Sequence, residues 1–231
     1  MKISLIELAP TLRGIYRDKM SGRDDFMPTR LRRLAPEVAE AFSRADQGGA
    51  LVVSDMYRSP DGSLEAIRTR RGALRPSKSL HNYGLAIDVD VTQVMARLKL
   101  RDKAELDRYM AGFGFVCCRL DHKRDFEEWH YSYLPGFDFA RGGSLSTDEG
   151  EAEIQRRYKA DWDALAGNVA AEQLALQELR LYSGAIDGDA GPRTARARDA
   201  FCRAWELVGP ADPLYYRTLA LVTADLEIAT T

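Results

Sequence analysis

The chain has 231 residues, 45% apolar and 29% charged, with 33 basic against 35 acidic side chains and a net charge of −2. That is enough apolar material for a real core, as one large domain or as one medium and one small domain. The charge balance argues against nucleic acid as the main partner, because phosphate binding brings a clear basic excess, and no apolar run approaches the ~18 residues of a membrane span.

The N-terminal MKISLIELAP has one lysine and a short apolar patch, too brief for a signal-peptide core, so cytoplasmic synthesis without an export signal is expected. Between residues 29 and 47, Leu31, Leu34, Val38, Ala41 and Phe42 recur at spacings of three and four, predicting an amphipathic helix bent at Pro36. ALVVSDMYRS (50–59) reads as a strand, and the Gly-, Pro-, Ser- and Arg-rich stretch 59–80 as a long loop of the kind that often carries function. LAIDVDV (85–91) alternates, with Leu85, Ile87, Val89 and Val91 on one face and Ala86, Asp88 and Asp90 on the other. A helix over 92–111 and a strand over 114–120 follow, then the charged turn DHKRDFEE. WHYSY alternates again, with His130 and Ser132 opposite Trp129, Tyr131 and Tyr133.

Strands interleaved with helices predict an α+β domain over 1–140, a small antiparallel sheet with flanking helices. RGGSLSTDEGE supplies a linker over 141–150, with Asp148 and Glu151 as a capping box. Residues 151–231 read as a small all-helical second domain, with helices over 151–182 and 192–207 around the turn SGAIDGDAGP. Cys117, Cys118 and Cys202 are an odd set without CxxC spacing, expected as reduced packing residues.

Two strands therefore each present a metal-type ligand on a polar face, Asp88 on one and His130 on the other, with His81 just before the first. Two imidazoles and a carboxylate suit Zn²⁺ and leave a fourth position open. Zinc makes hydroxide available near neutral pH, and a carboxylate must then take and return the proton. Glu127, three residues before His130, is the candidate base. His122, in the charged turn, is the weaker competitor as a ligand. Asp90 reads as solvated.

Ser79-x-His81-x-x-Gly84-x-Ala86-x-Asp88 followed by Glu127-x-Trp129-His130 resembles the LAS-type zinc peptidases of the D-alanyl-D-alanine carboxypeptidase group. These share a fold with hedgehog signalling domains and lysostaphin-type enzymes. The likeness covers about residues 50–135. It implies one zinc per chain on His81, Asp88 and His130, with Glu127 as catalytic base. The family's YR pair is matched by Tyr57-Arg58. Arg58 would bind the scissile carbonyl oxygen as it becomes an oxyanion, while Ser79 and Tyr57 would contact substrate. The glutamine that many relatives carry after YRS is missing here.

In the tail, the LQ pair Leu176-Gln177 and then Gly184, Asp187, Gly188, Gly191, Pro192 and Thr194 resemble a small three-helix peptidoglycan-binding domain. Together the two resemblances imply a zinc peptidase acting on bacterial peptidoglycan; a monomer is expected, though the sequence does not fix the oligomeric state. HNYGLAID is most similar to the L-alanyl-D-glutamate endopeptidases of phage endolysins, which are made in the cytoplasm and reach the cell wall, on its periplasmic side, after release. The alternative is a D-alanyl-D-alanine carboxypeptidase or dipeptidase. That activity needs a group for a free terminal carboxylate, and Arg68, Arg70, Arg71 and Arg75 could hold one, or equally the D-glutamate and diaminopimelate carboxylates of an uncut stem. A third reading is a non-catalytic wall-binding module with structural zinc. Glu127 and Arg58 argue against it, since neither is needed to hold the metal.

Overall fold

A four-stranded antiparallel sheet in the order β5 (Val53–Asp55), β6 (Ala86–Val89), β8 (His130–Tyr133) and β7 (Phe115–Cys117) is the platform on which the candidate ligands stand. The structure, a computed structural model, describes residues 3–8, 15–17, 24–26, 32–69, 74–117, 127–137 and 147–230. Among these it holds two further antiparallel ribbons, β1 (Ile6–Glu7) with β4 (Arg33–Leu34) and β2 (Ile15–Arg17) with β3 (Asp24–Phe26). It also holds eight α-helices, and none of them is long and apolar enough to cross a membrane. The architecture is mixed helix and sheet.

Two compact units emerge. One, the sheet unit, comprises Ser4–Arg58 and Ser79–Glu153; the other, the helical unit, is chiefly Ser59–Lys78 and Ile154–Thr231. The stretch 59–80, expected as a loop within 1–140, instead contains helix α2 (Pro60–Thr69), which packs on α8 (Tyr215–Thr230) in the helical unit. The start signal lies in Ser59-Pro60-Asp61. The Ser59 hydroxyl accepts from Gly62 N–H at 3.1 Å, proline opens the first turn and aspartate meets the positive end of the dipole. Helix α5 (Thr147–Ala166) likewise begins inside the stretch expected as a linker.

Proline decides a second difference. The helix expected over 29–47 is α1 (Pro36–Asp46), with Pro36 at its start rather than at a bend. The residue before a proline is steered to extended backbone, and Ala35 has φ −57° and ψ 149°. The helix expected over 92–111 is two, α3 (Val91–Leu98) and α4 (Lys103–Ala111). Left-handed Lys99 closes the first, and Asp102 caps the second by accepting from Glu105 N–H. Asp90, read as solvated, is the cap of α3 and accepts from Gln93 N–H at 3.0 Å. It ends β6, so Val91 is helical and the alternation stops at Val89. Cys117 and Cys202 are buried and free; Cys118 and His122 lie outside the described residues.

The sheet's register pairs Ala86 with Ser132, Ile87 with Tyr131 and Asp88 with His130. Ile87 and Tyr131 are fully buried on the apolar face, burial worth about 1.5–3 kcal/mol for each such side chain. A one-residue slip would turn that pair to the polar face and separate Asp88 from His130, so core packing also sets the ligand geometry.

In the helical unit, Phe201, Tyr215, Leu176 and Leu219 make the core. Fully buried Glu172 accepts from Arg198 Nε at 2.8 Å and from Tyr215 Oη at 2.7 Å. Buried Gln173 ties down the turn before α7 (Pro192–Ala204). Its Oε1 accepts from Asp187 and Gly188 N–H at 3.1 and 2.9 Å, while its Nε2 lies 2.7 Å from Asp187 Oδ1 and 3.0 Å from the Asp189 carbonyl. Gln177, the glutamine of the expected LQ pair, is exposed; the side chain that binds the turn comes one helical turn earlier.

At Gly84 the backbone comes close to Leu5, Leu34 and Ala35. Gly84 has φ +66°, and a Cβ there would stand 2.8 Å from Ala35 N and 2.6 Å from Leu5 Cδ2. Its carbonyl accepts from Ala35 N–H at 3.0 Å. Gly84→Ala is expected to cost about 2 kcal/mol or more, from left-handed strain plus a clash with backbone. A lowered denaturant midpoint measures it.

Candidate metal centre

Three elements each deliver one ligand atom. His81 lies in a 3-10 turn, Leu80–Tyr83, closed by left-handed Gly84; Asp88 is on β6 and His130 is on β8. His81 Nε2 is 3.2 Å from Asp88 Oδ1 and 3.1 Å from His130 Nδ1, and His130 Nδ1 is 2.8 Å from Asp88 Oδ1. No other group of three or more metal-type side chains gathers among the described residues.

The far ring nitrogens decide what this triangle can hold. His81 Nδ1 lies 2.6 Å from the Met56 carbonyl and donates its proton there, so Nε2 presents a lone pair. Asp88 Oδ1 is also an acceptor, and one proton on His130 Nδ1 can satisfy only part of the triangle. His130 Nε2 faces the Ser132 hydroxyl at 3.3 Å. Converging acceptors in a buried site require a cation. Two imidazoles and one carboxylate form a zinc donor set with an open fourth position, and ligand atoms around tetrahedral zinc stand about 3.4 Å apart. The residues present fit zinc.

Charge follows the same pattern in the metal-free protein. Burial opposes a charge on His81, but the Asp88 and Asp55 carboxylates outweigh it and raise the imidazole pKa. Burial would raise Asp88 too, yet the charge of a protonated His81 and the hydrogen bonds that both rings donate in their protonated form hold it well below the usual carboxylate range. A proton thus competes with the metal.

Arg58 follows β5 and is largely buried. Its Nε donates to Asp55 Oδ2 at 3.1 Å, and its Nη2 pairs with the same oxygen. Burial works against its charge, but Asp55, then Asp88 and Glu127, raise its pKa and keep it cationic. Glu127 is part-exposed at the start of the turn into β8, and its carbonyl accepts from His130 N–H at 3.1 Å. The structure therefore gathers His81, Asp88, His130, Arg58 and Glu127 in the sheet unit.

Ser79 and Tyr57 are 4% and 2% exposed, and the Ser79 hydroxyl does not cap the turn it begins. Asp55 and Asn82 passed unnoticed in the sequence. Asn82 donates from Nδ2 to the Arg58 carbonyl at 2.7 Å. Two of the arginines expected to meet carboxylates have acidic partners within the helical unit: Arg68 bonds Glu206 at 2.9 and 2.7 Å, and Arg75 lies 3.9 Å from Asp212. Arg70 and Arg71 lie outside the described residues.

No family model and no curated protein matches the chain. Among solved structures it is similar to the LdcB LD-carboxypeptidase, whose structure is described as revealing the molecular basis of peptidoglycan recognition. The identity is 20% and the TM-score 0.39, over 55% of this chain and 72% of that one. It is similar also to a mutant of the vancomycin-resistance D,D-pentapeptidase VanY from a VanB-type cassette, in complex with Zn(II). There the identity is 18% and the TM-score 0.40, over 65% of this chain and 90% of that one.

Zinc affinity measured by chelator competition is expected to fall as pH drops through the raised His81 pKa, by about tenfold per pH unit for each proton displaced. His81→Ala should abolish stoichiometric zinc, read by elemental analysis.

Proposed function

We propose that this chain is a zinc-dependent peptidase that hydrolyses an amide bond in the stem peptides of bacterial peptidoglycan. The observation that carries the reading is the convergence of His81 Nε2, Asp88 Oδ1 and His130 Nδ1 beside a cationic Arg58. A structural metal site needs its ligands alone. An arginine whose charge is felt by Asp88 and Glu127, beside three ligands, fits the demands of acyl transfer, which needs an oxyanion partner and a proton carrier.

Zinc, when bound by His81, Asp88 and His130, supplies Lewis acidity that makes water acidic near neutral pH. Glu127 takes the proton from the attacking water and returns it to the departing amine, a role that asks for a carboxylate outside the ligand set. Arg58 meets the carbonyl oxygen as negative charge grows there, and its permanent cation strengthens that contact in the transition state over the ground state. The Ser79 hydroxyl, beside His81 in the chain, orients the substrate, whereas Tyr57, 2% exposed, has little surface to offer it.

The bond we assign is L-alanyl-D-glutamate, an endopeptidase cut of the endolysin type, on the strength of the His81–Asp88 stretch HNYGLAID. A D-alanyl-D-alanine carboxypeptidase or dipeptidase would need a fixed arginine for the terminal carboxylate; Arg68 and Arg75 face Glu206 and Asp212, which leaves Arg70 and Arg71 as its candidates. The C-terminal helices would act as a wall-binding module that raises local substrate concentration. Action would then fall on the wall after release from the cell that makes the enzyme.

Digestion of purified sacculi, with new termini identified by mass spectrometry, tests the bond. Stem peptides beginning with D-glutamate are expected; free D-alanine with every L-alanyl-D-glutamate bond intact would replace this specificity with the carboxypeptidase one. Glu127→Ala should keep zinc and fold while turnover falls by about two to four orders of magnitude. Near-normal turnover in that variant would assign proton transfer elsewhere.

A further inference from the structure

Asp55 stands opposite Asp88 across β5 and β6, and Asp88 stands opposite His130 across β6 and β8. The register shifts between Val53 and Asp55, and this irregularity is what sets Asp55 against Asp88, where facing like charges are destabilising. An aspartate at 55, beside a ligand aspartate, therefore calls for a compensating interaction. Its two oxygens provide one each. Oδ2 accepts from both Nε and Nη2 of Arg58. Oδ1 accepts from Met56 N–H at 3.0 Å, in the residue whose carbonyl receives the His81 Nδ1 proton. The strand end is tied to the His81 turn a second time, by Arg58 N–H to the His81 carbonyl at 3.1 Å and by Asn82 Nδ2 to the Arg58 carbonyl. Among the described residues, Arg58 Nη1 has no protein acceptor.

We propose that Asp55 is a positioning residue of the peptidase reaction. It clamps one edge of the Arg58 guanidinium so that the remaining donor meets the developing oxyanion, and it holds the N–H of Met56, the residue whose carbonyl orients His81. This rests on the peptidase reading above. An amide cannot replace the carboxylate. Asparagine has a single acceptor oxygen, so it can serve Met56 N–H or Arg58 but not both, and its NH₂ would face donors at the other position. The carboxylate is the group that accepts on both sides.

Full-length wild type, Asp55→Asn, Arg58→Ala and the double variant are compared by zinc content, thermal midpoint and steady-state kinetics on a soluble stem peptide. Asp55→Asn is expected to retain zinc and fold, with kcat lower by about ten- to a hundredfold and KM nearly unchanged, because an oxyanion contact is made chiefly in the transition state. In the Arg58→Ala background the Asp55→Asn change should add almost no further loss, as two residues acting as a unit require. A purely structural role would lower the thermal midpoint and leave the kinetic losses additive. If Asp55→Asn does not fold, Asp55→Glu, which keeps the charge and shifts the carboxylate by one methylene, must show the same kcat loss and the same non-additivity. Wild type that cleaves no stem-peptide bond overturns the peptidase reading and this inference together. Active wild type with an unchanged kcat in the variant, or with losses that add, overturns the inference alone.

Discussion

Three acceptor atoms held within 3.2 Å of one another are the constraint around which the sheet unit is organised. Left to themselves, lone pairs on two imidazoles and a carboxylate repel, and burial removes the water that would otherwise separate them. The surrounding structure holds them there. Cross-strand register sets Asp88 against His130, the 3-10 turn brings His81 over β6, and the Met56 carbonyl fixes which nitrogen of His81 faces inward. The apolar side of the same strands, Ile87 against Tyr131, keeps the register from sliding.

Charge balance extends the same logic. Asp55, Asp88 and Glu127 all act on Arg58, giving three carboxylates against one guanidinium and a local excess of two negative charges when both histidines are neutral. A divalent cation cancels that excess. The cluster can thus keep an arginine fully charged without becoming cationic overall.

Residues whose chemistry is read from alternation and spacing were legible in the sequence. Asp88 and His130 lie where a period of two puts a polar face on each strand, His81 stands just before the first of them, and the structure brings the three together. Groups that act through backbone geometry were not legible. Met56 contributes a carbonyl, which every residue has, and Asp55 looks like the polar end of a strand until its opposite neighbour is known. Asp90 sits in phase with Asp88 yet caps a helix, because a strand's end cannot be told from its middle by alternation alone. The stretch 59–80 was misread through composition. Its glycines and arginines resemble a loop, while Ser59-Pro60-Asp61 is a helix start, and Leu64 and Ala66 are buried. Where residues 59–78 pack could not be foreseen, because their partners lie some 140 positions away at Arg217 and Thr218.

The Gln173 amide gives the helical unit a chemical lifetime as well as a shape. Both ends of one side chain are committed, oxygen to the Asp187 and Gly188 amides and nitrogen to the Asp187 carboxylate and the Asp189 carbonyl. Deamidation exchanges an NH₂ for an oxygen without altering size. At this position the exchange would set acceptor against acceptor 2.7 Å from Asp187 Oδ1, at a side chain that is itself fully buried beneath an exposed turn. The turn between α6 (Val169–Glu178) and α7 would lose its anchor while every apolar contact of the core stayed in place. Ageing of this unit would accordingly register first as a loosened turn on an intact three-helix core, a change of one mass unit rather than a loss of fold.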